Sequence, residues 1–259
     1  MKPISIFRII NLFIFAFLMA PLLIVIVTSF SNTAYLTFPP EGFTLKWYEY
    51  VLSDGRYFEP LMNSLLVAAI ATIVSLIIGT MVSIAVVRYR FKLKGAVNSL
   101  FLAPLIVPSL LLGIGLLMFF SKLGITDAYV RLTAAHCVLT VPYVVRSVVA
   151  SLGRINPSIE EASKILGASP IKTIFLVTLP LIKPALIAGG FFAFIISFDE
   201  LVVGLFLTSS SVTTLPLLIY SDIQFNLNPS ISAISSLLIL GTIIIGVIGM
   251  RFIDKKDLY

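Results

Sequence analysis

Two neighbouring acids, Asp199 and Glu200, interrupt an otherwise apolar run of the sequence. A carboxylate in apolar surroundings costs at least a few kcal/mol unless it faces polar protein groups, water or a cation. The sequence leaves two roles open. The acids attract a cation, because ammonium groups need anionic or carbonyl partners once they leave water. Otherwise they pair with lysine or arginine on a neighbouring helix or a partner subunit.

Catalytic and metal-binding patterns are missing from the sequence. His136 is the only histidine, so it has no second imidazole with which to hold a metal, and no glycine-rich phosphate loop precedes a Lys-Ser or Lys-Thr pair. Cys137 is the only cysteine, which excludes an intrachain disulfide. We therefore predict no catalytic residue, no metal site and no cofactor in this chain. We expect His136 to occupy a satisfied or interface position and Asp222 to be a solvated acid of an external loop.

The composition points to a bilayer as the solvent. Of the 259 residues, 59% are hydrophobic and only 12% are charged, and the mean hydropathy is +1.09. Such a chain lacks the polar surface that a soluble protein of this size needs. The net charge of +6 does not indicate nucleic-acid binding, because no basic patch alternates with exposed aromatic residues.

Apolar runs of about 20 residues, the length that crosses the hydrocarbon core, predict an all-α membrane protein with six transmembrane helices. Lipid cannot hydrogen-bond the backbone, so each span must be a helix, and the alternation typical of a β-barrel is absent. The first run is too long for a cleaved signal, which favours a retained anchor. The predicted spans are 9–30, 61–87, 97–120, 131–150, 184–207 and 231–250.

The positive charges predict the orientation of these spans. An even number of spans puts both termini on one side, and most of the 18 lysines and arginines fall on that side. The positive-inside rule then makes this side the cytoplasm. The chain is thus predicted to be a multi-pass membrane protein with both termini in the cytoplasm, and with Asp199 and Glu200 in the outer part of the fifth span. Pro104, Pro108 and Pro142 predict kinks or breaks inside spans.

The predicted cytoplasmic segment 151–183 contains two short helices. Glu160–Leu166 favours a helix that stops at Gly167, and Ser169 followed by Pro170 is typical of a new helix start. We expect Pro180 to end the second helix. Its apolar residues recur at helical spacing but are too few to span a membrane, so they need a protein partner or their own bundle.

At this spacing the segment resembles the EAA motif of ABC-importer permeases, with two departures, at Ser163 and Val177. The resemblance implies the type I ABC-importer (MetI-like) permease fold, in which this stretch is a coupling loop (151–183) that docks on an ATPase subunit. The residues to which it assigns ATPase coupling are Glu161, Ala162, Gly167, Ala168, Leu179 and Pro180.

The resemblance continues through 41–50, 88–94, 197–200 and 215–217, and is greatest to the second permease subunit of spermidine/putrescine importers. It implies two ATPase subunits that bind ATP and magnesium, a second homologous permease subunit and an external solute-binding protein. The solute stays open between a polyamine and another small organic molecule such as an opine or amino-acid derivative. An ion-coupled secondary transporter, an intramembrane enzyme and a structural subunit are the rival classes, and each lacks its sequence signature.

Overall fold

The structure is a computed structural model that describes residues 6–53, 55–209 and 211–252. The α-helices of these ranges are α1 (Ile6–Thr28), α2 (Lys46–Ser53), α3 (Gly55–Arg88), α4 (Lys94–Leu102), α5 (Ser109–Lys122), α6 (Ala128–Leu152), α7 (Ser158–Ile165), α8 (Pro170–Thr173), α9 (Leu179–Leu181), α10 (Lys183–Phe198), α11 (Gly204–Leu207), α12 (Leu215–Phe225) and α13 (Pro229–Phe252). A short 3-10 turn, Ala103–Leu105, follows α4, and a π-helical turn, Ile174–Thr178, joins α8 to α9. The predicted all-α architecture is confirmed.

The segment Pro60–Leu217 forms one compact unit, and part of its core lies between α6 and α10. Its buried apolar residues here are Val144, Val148, Leu152, Ile182 and Ala193. A Cβ atom built on Gly189 would lie only 3.2 Å from the Cα atom of Val144. The glycine therefore lets the two helices approach closely, as is typical of helix pairs in membranes.

The described residues before Pro60 and after Leu217 form a second compact unit, in which α1 and α2 each pack against α13. Thr28 Oγ1 donates a hydrogen bond to Ser232 Oγ at 3.1 Å, which joins α1 to α13. The connection from α1 to α2 is held by Trp47, whose indole N–H donates to the carbonyl of Ser31 at 2.8 Å. These polar contacts add directional links to the apolar packing of the unit.

Three helices, α1, α3 and α6, are each long and apolar enough to cross a membrane in the part of the chain that the structure describes. Two bent pairs raise this number to five if each pair is one span. In α13 the apolar stretch Pro229–Ile244 is shorter, so the count of six spans stays a prediction. The predicted cytoplasmic placement of both termini concerns residues 1–5 and 253–259, which lie outside the described residues.

The predicted span 97–120 is broken where the prolines lie. The helical stretches Lys94–Leu105 and Ser109–Lys122 are bent by 107° relative to each other, and Pro108 precedes the second stretch. Proline lacks the N–H that would continue the helix, which accounts for the break. Pro142, in contrast, lies inside the continuous α6.

The predicted span 184–207 is not one continuous helix. Helix α10 ends at Phe198, and the short α11 begins only at Gly204. Asp199 and Glu200 therefore follow a helix end and do not lie on the side of a helix. Helix formation stops here because the carboxylate of Glu200 accepts a hydrogen bond from the backbone N–H of Val203 at 2.9 Å, a local bond that competes with the helical one.

Candidate functional site

The first half of the coupling loop, α7, ends in a glycine turn. The backbone N–H of Ala168 donates to the carbonyl of Ser163 at 3.0 Å, and that of Gly167 donates to the carbonyl of Lys164 at 3.0 Å. This is the Schellman arrangement, in which the residue after the helix adopts a left-handed conformation. Gly167 has a φ of 92°, a backbone conformation that residues with a Cβ rarely adopt. The predicted stop at Gly167 is confirmed.

The second half begins as predicted and ends differently. Ser169 Oγ accepts the N–H of Lys172 at 3.3 Å and Pro170 occupies the first turn of α8. The helix does not stop at Pro180, which lies within α9, and the break falls at Ile182, where the chain bends by 74° into α10. The wider π-helical turn before Pro180 takes up the ring that would clash in a regular α-helix.

Buried polar contacts join the two halves of the coupling loop to each other and to α3. Glu160 is 8% exposed, and its Oε1 accepts the hydroxyl of Thr178 at 2.9 Å. Its Oε2 accepts Nε of Arg88, the last residue of α3, at 2.8 Å. Ser163 Oγ lies 2.7 Å from Thr173 Oγ1, which adds a second link between the halves. A buried ion pair of this kind is expensive to break because one charge is then left unpaired.

The residues assigned to coupling lie mostly on the surface of this chain. Glu161, Ala162, Gly167 and Pro180 are exposed, and Ala168 and Leu179 are half-buried. Large apolar side chains around them are also exposed, among them Ile165 at 86% and Leu166 at 88%. Sequence reasoning missed Glu160 and Arg88. The signal that could have found them is the amphipathic pattern of α7, where Glu160 and Ser163 share the face opposite the exposed Glu161.

The second candidate site is the end of α10. Asp199 is exposed and follows the last helical residue, while Glu200 is half-buried and bonded to Val203. In residues 6–53, 55–209 and 211–252, no lysine or arginine forms an ion pair with either carboxylate. The carbonyl end of a helix carries a partial negative charge, so the helix end and the two acids favour a cation together.

His136 is positioned beside this helix end. Its imidazole is 2% exposed, and Nδ1 lies 2.7 Å from Oγ of Ser197, two residues before Asp199. The other ring nitrogen, Nε2, is buried without a hydrogen-bond partner in the part of the chain described by the structure. Within the described residues, only Nδ1 of His136 thus has a hydrogen-bond partner. This contact links α6 to the last turn of α10.

We expect two replacements of His136 to show which of its ring nitrogens contributes to the stability of the protein. Asparagine places a polar atom near the Nδ1 position, and glutamine places one near Nε2. His136→Asn should therefore keep the bond to Ser197 and unfold close to the wild-type temperature. His136→Gln should lose it, at a cost of about 0.6–2 kcal/mol. Thermal unfolding of the purified protein in detergent checks this order, and equal losses in both variants would contradict it.

Asp222 is not the solvated loop acid that the sequence predicts. It lies on α12, is 2% exposed and forms an ion pair with Arg56. The hydroxyl of Tyr57 donates to its second oxygen at 2.9 Å, and Tyr57 lies 3.1 Å from Ser230 Oγ. Asp222 thus joins the start of α3 to α12, and Tyr57 extends the link to α13. The sequence could not show this because the partners are far apart in the chain.

This fold, a helical chain with long apolar helices, broken spans and an exposed helix–glycine–helix loop, defines a membrane transport subunit. Residues 71–256 match the family of binding-protein-dependent transport system inner membrane components, and the chain belongs to that family. It is therefore a permease subunit of an ABC importer. The family implies ATPase, substrate-binding and second-permease partners.

Similar proteins and a solved structure agree with this assignment. The putrescine transport system permease protein PotI of Escherichia coli K12 is 33% identical over 94% of this chain and 89% of its own length. The spermidine/putrescine transport system permease protein PotC of Haemophilus influenzae is 30% identical over 94% and 95%. In the crystal structure of a bacterial ABC transporter involved in alginate import, a chain with 18% identity matches at a TM-score of 0.77, covering 97% of this chain and 98% of that one. This last similarity bears on the fold alone.

Proposed function

We propose that this permease translocates a polyamine, of the putrescine or spermidine type, across a bacterial cytoplasmic membrane. The observation that carries the proposal is the pair Asp199 and Glu200 at the end of α10, combined with similarity to polyamine permeases over nearly the whole chain. In this proposal the importer contains two ATPase subunits, a second homologous permease and an external binding protein. ATP and magnesium are bound by the ATPase subunits.

The charge at the end of α10 suits a cationic solute. A polyamine carries ammonium groups that lose hydration when they enter the membrane, and each needs an acceptor there. Asp199 is exposed and not paired with a basic side chain in the described residues, so its carboxylate is available to a passing cation. Charge-assisted hydrogen bonds of this type are about twice as strong as neutral ones.

The coupling loop supplies the connection to ATP. Its exposed apolar residues, Ile165, Leu166, Ile171, Phe175 and Leu176, form a surface that a cleft on an ATPase subunit would cover. The buried contacts of Glu160 and Ser163 hold the loop together below this surface. A loop of this kind moves as one piece, so closure of the ATPase pair displaces the spans and alternates access to the solute.

The test is solute uptake by proteoliposomes that contain the co-purified complex and its binding protein. We expect ATP-dependent, saturable uptake of radiolabelled spermidine or putrescine, and little uptake of 2-aminoethylphosphonate. The latter solute is chosen because the putative 2-aminoethylphosphonate permease PhnV of Salmonella paratyphi A is 30% identical over 79% of this chain. ATP-dependent uptake of 2-aminoethylphosphonate alone would support the assignment as an importer and contradict the assignment of a polyamine as its solute. Uptake driven by an ion gradient without ATP would reject the importer mechanism.

A further inference from the structure

We infer that the ion pair between Arg88 and Glu160 makes α3 move together with the coupling loop. The inference rests on the proposed coupling role of that loop and adds two positioning residues, neither of which belongs to the motif itself. The loop is continuous with α6 on one side and with α10 on the other. Helix α3 is not adjacent to the loop in the chain, and the ion pair connects the two non-covalently at Arg88, the last residue of α3.

The guanidinium of Arg88 makes three contacts at once. Nε donates to Glu160 at 2.8 Å, one terminal nitrogen donates to the carbonyl of Leu152 at 3.2 Å, and the other donates to the carbonyl of Ile155 at 3.3 Å. The two carbonyls lie at the end of α6 and in the turn that follows it. Because the guanidinium is planar and its donors are fixed in direction, the three contacts define one orientation of α3 relative to the loop.

Glu160 extends this connection to the second half of the loop. Its other oxygen accepts the hydroxyl of Thr178, which is 2% exposed and lies in the turn before α9. The side chains of Arg88 and Glu160 are only 12% and 10% exposed, so water and salt compete little for the pair. One carboxylate thus connects α3, α7 and the stretch that leads into α10.

Above the pair, α3 packs against the same core as the other helices of its unit. Leu76, Ile84 and Val87 of α3 contact the apolar interface of α6 and α10. Ser75 Oγ of α3 also lies 2.7 Å from Thr140 Oγ1 of α6. These contacts join α3 to the spans, whereas the ion pair joins it to both halves of the coupling loop. A push on the coupling loop therefore reaches the end of α3 directly through Arg88.

The test measures solute transported per ATP hydrolysed in proteoliposomes. Arg88→Met removes the contacts, and Glu160→Gln keeps the shape and the bond to Thr178 but removes the charge. We expect both to leave much of the ATP hydrolysis and to lower the transport-to-ATP ratio by about tenfold, within the range of coupling changes caused by single residues. Arg88→Lys keeps the charge but cannot reach three acceptors, so its transport-to-ATP ratio should lie between those of the wild type and of Arg88→Met. Arg90→Met, at an exposed arginine two residues further on, is the matched control and should keep the wild-type ratio.

The outcomes separate this inference from the proposed function. If transport and ATP hydrolysis fall together, so that their ratio is unchanged, the pair only supports folding or assembly and the inference is wrong. The same holds if Arg90→Met uncouples equally. If Arg88→Met does not assemble, Glu160→Gln provides the measurement because it is close to isosteric. If the proposed coupling role of the loop is itself wrong, a different experiment shows it: a variant altered at Glu161 and Gly167 would transport normally.

Discussion

The complex carrying Glu161→Ala and Gly167→Ala is expected to insert normally and to lose substrate-stimulated ATP hydrolysis and uptake. Glu161 is exposed in this chain, so its charge is free to meet a partner. Loss of one member of a buried charge pair across an interface costs about 2–5 kcal/mol, which should lower uptake by more than tenfold. Gly167 has a positive φ, where alanine adds about 1 kcal/mol of strain and changes the angle between α7 and α8.

A matched control for the glycine is available in the same unit. Gly124 also has a positive φ, 68°, and like Gly167 it has open space where a Cβ would lie. It lies between α5 and α6, outside the coupling loop. Gly124→Ala therefore introduces a left-handed alanine without touching the loop, and it should keep uptake and stimulated hydrolysis. Normal transport in the Glu161/Gly167 variant, at a normal level of assembled complex, would refute the coupling assignment.

Local chemistry explains why the coupling loop was predictable in detail. Gly167 is followed by Ser169 and Pro170, and each of these residues acts through backbone groups within a few positions of itself. Such signals do not depend on the rest of the fold. The same reasoning failed at Pro180, because the π-helical turn that accommodates the ring has no signature in residue type.

Long-range pairs could not be predicted. Glu160 reads as an ordinary residue of a short helix, and Arg88 reads as one of several basic residues at the end of a span. Their contact joins positions 72 residues apart. Asp222 and Arg56 are separated even further, by 166 residues. A single sequence records that each charge exists but not which charge it meets, so buried ion pairs require the structure.

Hydropathy predicted where apolar helices lie but not where they break. The run that contains Asp199 and Glu200 is apolar on both sides, so a count of residues treats it as one helix. The chain leaves the helix at this point because Glu200 bonds to Val203. The break strengthens the case for cation binding by the acids, because a carboxylate at the carbonyl end of a helix adds to the negative end of the helix dipole.

Neutralising both acids, with Asp199→Asn and Glu200→Gln, should strongly impair uptake of a polyamine. A hydrogen bond to a charged group contributes about 1.5–3 kcal/mol, so we expect the ratio of maximal rate to KM to fall by about ten- to a hundredfold. The fold should survive, because the glutamine oxygen still accepts the N–H of Val203 and Asp199 is exposed. The measurement is the concentration dependence of spermidine and putrescine uptake in proteoliposomes with saturating binding protein.

Asp127→Asn is the appropriate control for this pair. Asp127 accepts the N–H of Val130 at 2.9 Å at the start of α6, much as Glu200 accepts that of Val203, and asparagine serves equally well in such a cap. A similar loss of uptake in this control would mean that general negative charge, and not the end of α10, attracts the solute. Unchanged uptake in the Asp199/Glu200 variant would place the acids outside the pathway and favour an ion pair with a partner subunit. A loss confined to cationic solutes, with stimulated ATP hydrolysis retained, would identify the end of α10 as the point where the permease distinguishes charge, separately from the loop that receives the work of ATP.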